Sequence, residues 1–121
     1  YQEIKEFDCG SLFNYDFILQ KKVKISKPLL SEVLDTIEQV AIAKDQRINY
    51  NIELKSELAL EGIYHPKVAT FSDAVYQMIN EQIGWDRIII QSFDFRILQY
   101  FKKHYPKVPL ALLIENEDSW N

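Results

Sequence analysis

Asn49-Tyr50-Asn51-Ile52-Glu53-Leu54-Lys55-Ser56 is the stretch on which the fold turns. Ile48, Tyr50, Ile52 and Leu54 alternate with Asn49, Asn51, Glu53 and Lys55, which is the period of a strand over 48–55. The alternation puts Asn51, Glu53 and Lys55 on one face. On an antiparallel surface strand that face would be wet, and Glu53 and Lys55 would be a solvated pair. On a parallel strand of an α/β fold it points into the covered face. Charges there are costly unless they pair, bind a metal or meet a ligand.

What flanks this strand favours the parallel arrangement. Upstream, Leu30, Val33, Leu34, Ile37, Val40 and Ala41 form a helical stripe, with Pro28 suited to the first turn and Lys44-Asp45-Gln46 closing it. Downstream, Pro66 opens a second helix over 66–83, with Val68, Phe71, Val75, Met78 and Ile79 on one side and Gly84 as its stop. Arg87 to Phe93 is a second strand, and its run Ile88-Ile89-Ile90 suits a strand covered on both faces. Asp94 or Ser92 can cap a third helix over 95–104, with Phe95, Leu98 and Phe101 as anchors. Pro106 and Pro109 lead to a third strand, Leu110 to Glu115. Helices alternating with strands imply parallel βαβ units with right-handed crossovers.

The first 27 residues are less regular. Glu3 to Phe7 can make a helical turn, Asp8-Cys9-Gly10-Ser11 reads as a turn, and Phe13, Tyr15 and Phe17 alternate as a short strand or extended loop would. Lys21, Lys22 and Lys24 read as a solvated loop.

Composition narrows the function. The 121 residues are 47% apolar, enough for a core and too many for a disordered chain. The formal charge is 14 − 18 = −4, with no basic block, which argues against nucleic acid as a partner. No stretch approaches the ~18 apolar residues of a membrane span. A lone Cys9 excludes an internal disulfide and a cysteine-rich zinc site. The chain opens on Tyr1 with no charged start leading into an apolar run, so no export signal is expected within it, and the compartment is left open. Three parallel strands do not close a comfortable domain. The expectation is one segment, 1–121, of a larger α/β fold, either a barrel or a doubly wound sheet.

The chemistry-bearing residues gather at strand ends. Glu53 and Lys55 lie at the carboxyl end of the first strand, where barrel and open α/β active sites form. A Glu can hold a hard divalent cation, and a Lys two residues on can reach a phosphate oxygen from the same side. Gln91 and Phe93 share a face at the end of the second strand and could line a pocket mouth. The plainer alternative is a capping Ser beside a core Phe. Glu115 ends the third strand. His104, beside Lys102 and Lys103, reads as a surface residue, and His65 as a loop residue; neither has metal-ligand spacing. Trp85 reads as packing.

Taken together, Glu3-Ile4-Lys5-Glu6-Phe7-Asp8-Cys9-Gly10-Ser11, Lys27 to Leu34, Asn51-Ile52-Glu53-Leu54-Lys55-Ser56, Asp86 to Asp94 and Leu112-Leu113-Ile114-Glu115 resemble the glycerophosphodiester phosphodiesterase family. The Ile-Glu-Leu-Lys strand and the Gln-Ser-Phe-Asp strand end, in that order and separation, carry the resemblance. It implies a (β/α)8 TIM-type barrel, here in part, with N- and C-terminal portions lying outside this chain. It implies hydrolysis of a glycerophosphodiester to glycerol 3-phosphate and an alcohol with a divalent cation, Mg2+ or Ca2+. On that resemblance Glu53 is a metal ligand, Lys55 a catalytic phosphate- or metal-site partner, and Phe93 and Gln91 line the substrate pocket. The family's acid–base histidines sit in upstream His-Arg and His-Asp motifs that do not occur here, as do further acidic ligands. The 121 residues alone are therefore expected to be inactive, and to self-associate through unpaired sheet edges. The rival class is a non-catalytic binding or interaction module with a barrel-derived fold.

Overall fold

The computed structural model describes residues 1–115, which fall into two compact units, Tyr1–Lys44 and a second from Asp45 onward.

The first unit holds two helices, α1 (Gln2–Lys5) and α2 (Leu30–Ala43), and a 3-10 turn at Tyr15–Phe17. The alternating aromatics thus make a turn within a loop and no strand. Asn14 sets that turn by accepting the Asp16 N–H at 2.9 Å. The Asp8 turn is as expected: its Oδ1 accepts from Gly10 N at 3.0 Å and Ser11 N at 3.1 Å, and its Oδ2 from Ser11 Oγ. The Ser11 hydroxyl, followed by these N–H donors, draws the Asp8 carboxyl down to about 2. Only glycine fits at position 10, because a Cβ there would lie 2.3 Å from the Val23 carbonyl oxygen. α2 begins two residues after Pro28, and Glu32 reaches back to accept the Leu29 N–H at 2.9 Å. Leu34 and Ala41 are buried, while Val40 of the same expected stripe is half exposed. Lys44 caps the C-terminus, and Asp45 follows in the left-handed region at φ 53°.

The second unit alternates strands and helices: β1 (Tyr50–Glu53), α3 (Val68–Gln82), β2 (Ile88–Ser92), α4 (Phe95–His104) and β3 (Leu110–Leu112), with a 3-10 turn at Leu58–Leu60. The sheet order is β1-β2-β3 and both pairings are parallel. Each strand is shorter than its sequence pattern, but pairing runs past the strand limits, as in Leu54 N to Gln91 O at 2.9 Å. α3 ends where Gly84, at φ 73°, donates to the Ile79 carbonyl. α4 starts on Asp94, whose Oδ1 accepts the Arg96 N–H at 3.0 Å, and ends on Lys102, Lys103 and His104, which complement the helix dipole.

α4 packs on α3 and on β2 and β3. Ile79, Ile88, Ile90, Ile97 and Phe101 are fully buried. Each such side chain contributes roughly 1.5–3 kcal/mol by leaving water. The cap at Asp94 sets the phase of α4, so its inner stripe is Ile97, Leu98 and Phe101; the expected anchor Phe95 is 56% exposed. The isoleucine run differs from expectation too. Ile88 and Ile90 face the helices, whereas Ile89 is 42% exposed on the opposite face of the sheet. Trp85 packs as expected, stacked on Tyr76 at 5.1 Å and edge-on to Phe101.

Candidate functional site

The open face of the sheet carries the polar residues. Parallel register sets Asn51 beside Ile89, Glu53 beside Gln91, and Gln91 beside Ala111. Period two then places Lys55 and Phe93 beyond Glu53 and Gln91 at the carboxyl ends of their strands. Glu53, Leu54, Lys55, Ser56, Phe93 and Asp94 line a cavity of about 180 Å³ at this edge. Three of the four residues singled out from the sequence, Glu53, Lys55 and Phe93, therefore meet in one hollow. Gln91 does not line it. Its Oε1 accepts from Asn51 Nδ2 at 2.8 Å, one step down the same face beside Glu53.

Lys55 Nζ stands 4.0 Å from Glu53 Oε1, with the lysine side chain 83% exposed and the glutamate 28%. An ammonium so exposed forms only a weak pair with its neighbour and stays free to take a second anion. Phe93 is also half exposed. The cavity thus offers one carboxylate, one cation and one aromatic face. Glu53 suits a hard divalent cation as a single oxygen ligand. Among the described residues no three His, Cys, Asp or Glu side chains converge to hold a metal.

Beneath the hollow lies a polar network. Ser92 is fully buried; its Oγ donates to the Leu54 carbonyl at 2.6 Å and accepts the Asp94 N–H at 3.0 Å. Ser56 Oγ donates to Asp94 Oδ2 at 2.5 Å. Arg96 donates to both Asp94 oxygens and, at 2.6 Å, to Glu61 Oε2. Burial opposes the Asp94 charge, but the hydrogen bonds from Arg96 and Ser56 outweigh it and hold the carboxyl below its ordinary range. From sequence Asp94 reads as a helix cap alone. Its contact to Ser56 joins segments 38 positions apart in the chain, which no local pattern announces.

The two histidines are occupied elsewhere. His65 Nε2 accepts the Glu57 N–H at 3.0 Å while Nδ1 faces the Pro66 carbonyl at 2.9 Å. His104 is exposed and stacks on Tyr100 at 4.2 Å. A larger hollow of about 650 Å³ lies in the Asn14–Gln20 loop of the first unit, with Asp16 its only charged lining residue. Glu115 is exposed just beyond β3.

A parallel βαβαβ array with its polar side chains gathered at the strands' carboxyl ends is the layout in which barrel and open α/β proteins build their sites. Residues 1–120 match the family model of the glycerophosphoryl diester phosphodiesterase family, and the chain belongs to that family. Over 110 residues it is 29% identical to YhdW of Bacillus subtilis (strain 168), provisionally named a glycerophosphodiester phosphodiesterase. The aligned part covers 86% of this chain and 42% of that relative, so the chain spans less than half the length of the curated protein it matches.

Proposed function

We propose that this chain forms the central part of a (β/α)8 barrel whose whole protein hydrolyses glycerophosphodiesters to glycerol 3-phosphate and an alcohol. The observation that carries the reading is the meeting of Glu53, Lys55 and Phe93 in one cavity at the carboxyl end of parallel strands, in a chain of this family. In the barrel, β1 and β3, which are the sheet's two edges among the described residues, would each pair with a further strand, and the open face would become the interior.

Lys55 would bind a nonbridging phosphate oxygen, its exposure leaving the ammonium free to turn toward the ester. Glu53 would be one oxygen ligand of a divalent cation, Mg2+ or Ca2+, with the remaining ligands supplied by other parts of the protein. Such a cation, when bound, would polarise a phosphoryl oxygen and offset charge developing on it. Phe93 would pack against the glycerol or alcohol carbons, and Gln91, held by Asn51, would support the row beside Glu53. Neither His65 nor His104 lines that cavity, and the 121 residues alone would not turn over.

The test is hydrolysis of glycerophosphocholine by the full-length protein before and after exhaustive chelation. Turnover that chelation abolishes and Mg2+ or Ca2+ restores is expected. Binding of the diester without turnover would favour a non-catalytic module, and turnover indifferent to chelation would remove the metal role of Glu53.

A further inference from the structure

Two ties straddle the cavity. Ser92 Oγ joins the Leu54 carbonyl at 2.6 Å, and Ser56 Oγ joins Asp94 Oδ2 at 2.5 Å. Lys55 is the residue between Leu54 and Ser56, and Phe93 the residue between Ser92 and Asp94. Each of the two exposed side chains at the mouth is thus the middle of a triplet tied at both ends to the other triplet. The ties share a hub, since Ser92 Oγ also accepts the Asp94 N–H.

Capping alone does not account for Asp94. A cap needs one acceptor toward the first-turn N–H groups, and Oδ1 fills that role at 3.0 Å from Arg96 N. The second oxygen goes to Ser56 and to Arg96 Nη2, which lies 2.6 Å away. The carboxylate is 8% exposed, and the same guanidinium reaches Glu61 in the segment leaving β1. This oxygen and this arginine tie the loop after β1 to the start of α4 at the cavity that Ser56 and Asp94 line.

We infer that Asp94, clamped by Arg96, is a positioning residue that fixes Ser56 and so sets the separation of Lys55 from Phe93. The inference deepens the functional reading above and rests on it for its catalytic consequence. A lysine displaced by an ångström from a phosphate oxygen loses much of its effect, whereas the tie itself is a property of the chain.

The experiment uses the full-length protein with Asp94→Asn, Ser56→Ala and Ser56→Thr, and Arg47→Ala as a control that breaks only the exposed Arg47–Asp86 pair. Hydrogen–deuterium exchange over 54–57 and 92–94 is measured beside kcat and KM on glycerophosphocholine. Asp94→Asn and Ser56→Ala should speed exchange in those segments and lower kcat by roughly 10- to 100-fold, as loss of an orienting partner does. KM should change less, Ser56→Thr should restore both readouts, and Arg47→Ala should alter neither. Lowered thermal stability with kcat within about twofold of wild type would overturn the inference, because a merely structural tie behaves so. Unchanged exchange would overturn it as well. A wild-type protein inert toward glycerophosphodiesters would sink the functional reading separately, and the exchange pattern would still decide whether the tie exists. Should Asp94→Asn not fold, Ser56→Ala removes a single hydroxyl and carries the test.

Discussion

Ser92→Ala removes one atom, and the structure says what that atom does. Ser92 is fully buried, and its Oγ is the donor to the Leu54 carbonyl at 2.6 Å and the acceptor for Asp94 N–H at 3.0 Å. Alanine fits the space, so overpacking is absent and the cavity left is smaller than a methyl group. The cost is in hydrogen bonding. Each lost bond is worth about 1 kcal/mol net, and a buried carbonyl left without a partner costs ~1–3 kcal/mol. Leu54 is buried and its carbonyl has no other donor among the described residues, whereas Asp94 N–H is in a half-buried residue and can find water more readily. The carbonyl therefore dominates, and the expected destabilisation is about 2 kcal/mol. Urea unfolding of the full-length protein measures it, with the midpoint falling and the slope unchanged. A loss below roughly 0.5 kcal/mol would refute the reasoning, since that is the range of surface substitutions away from such features.

Phe101→Ala empties a fully buried ring site against α3 and the sheet; a loss of about 3–5 kcal/mol is expected by denaturant unfolding. Gly10→Ala would drive a methyl onto the Val23 carbonyl and break the 3.0 Å bond from Val23 N to Gly10 O; protease cleavage within 8–25 should rise several-fold, and an unchanged digestion rate would count against the tight approach. The Tyr105 hydroxyl donates to Asp73 at 2.7 Å, and this bond, helped by desolvation, pushes its pKa from 10.0 to about 12. A folded pKa above the unfolded one gives stability that is complete below pH 10 and fades as pH rises toward 12; tyrosinate absorbance should show a late-titrating group that Asp73→Asn moves earlier. The 121-residue chain alone, with the outer edges of β1 and β3 lacking a partner strand among the described residues, should sediment as associated species and leave glycerophosphocholine intact.

The alternation across 48–55 placed β1 and its polar face, because a strand's period survives whatever surrounds it. The position of β2 and the Gly84 stop were legible as well, but the faces of β2 were not, since three successive isoleucines carry no period and Ile89 turns to the open side. The position of Phe95 was not legible. Leu98 and Phe101 face inward as their spacing implies, but Phe95 is the first residue after the Asp94 cap and points out, while Ile97 joins the inner stripe. Of the two readings of Phe13, Tyr15 and Phe17, the loop stands and the strand does not: Asn14 closes a 3-10 turn through Asp16 N, and side-chain-to-backbone bonds override an alternating pattern. That Glu53, Lys55 and Phe93 share one hollow was legible because strand ends are few and their faces are countable. The Ser56–Asp94–Arg96–Glu61 network was not, since each member has an unremarkable local role and the meaning arises from contacts across 35 to 38 positions.

Replacing Glu53 by Gln and Lys55 by Met, singly, in the full-length protein tests the centre of the account. With far-ultraviolet spectra and unfolding midpoints unchanged, each variant should lose at least about 100-fold in kcat/KM toward glycerophosphocholine, the scale of removing a preorganised electrostatic group. Variants that keep kcat/KM within about twofold of wild type would contradict it, placing the chemistry somewhere other than the carboxyl end of β1.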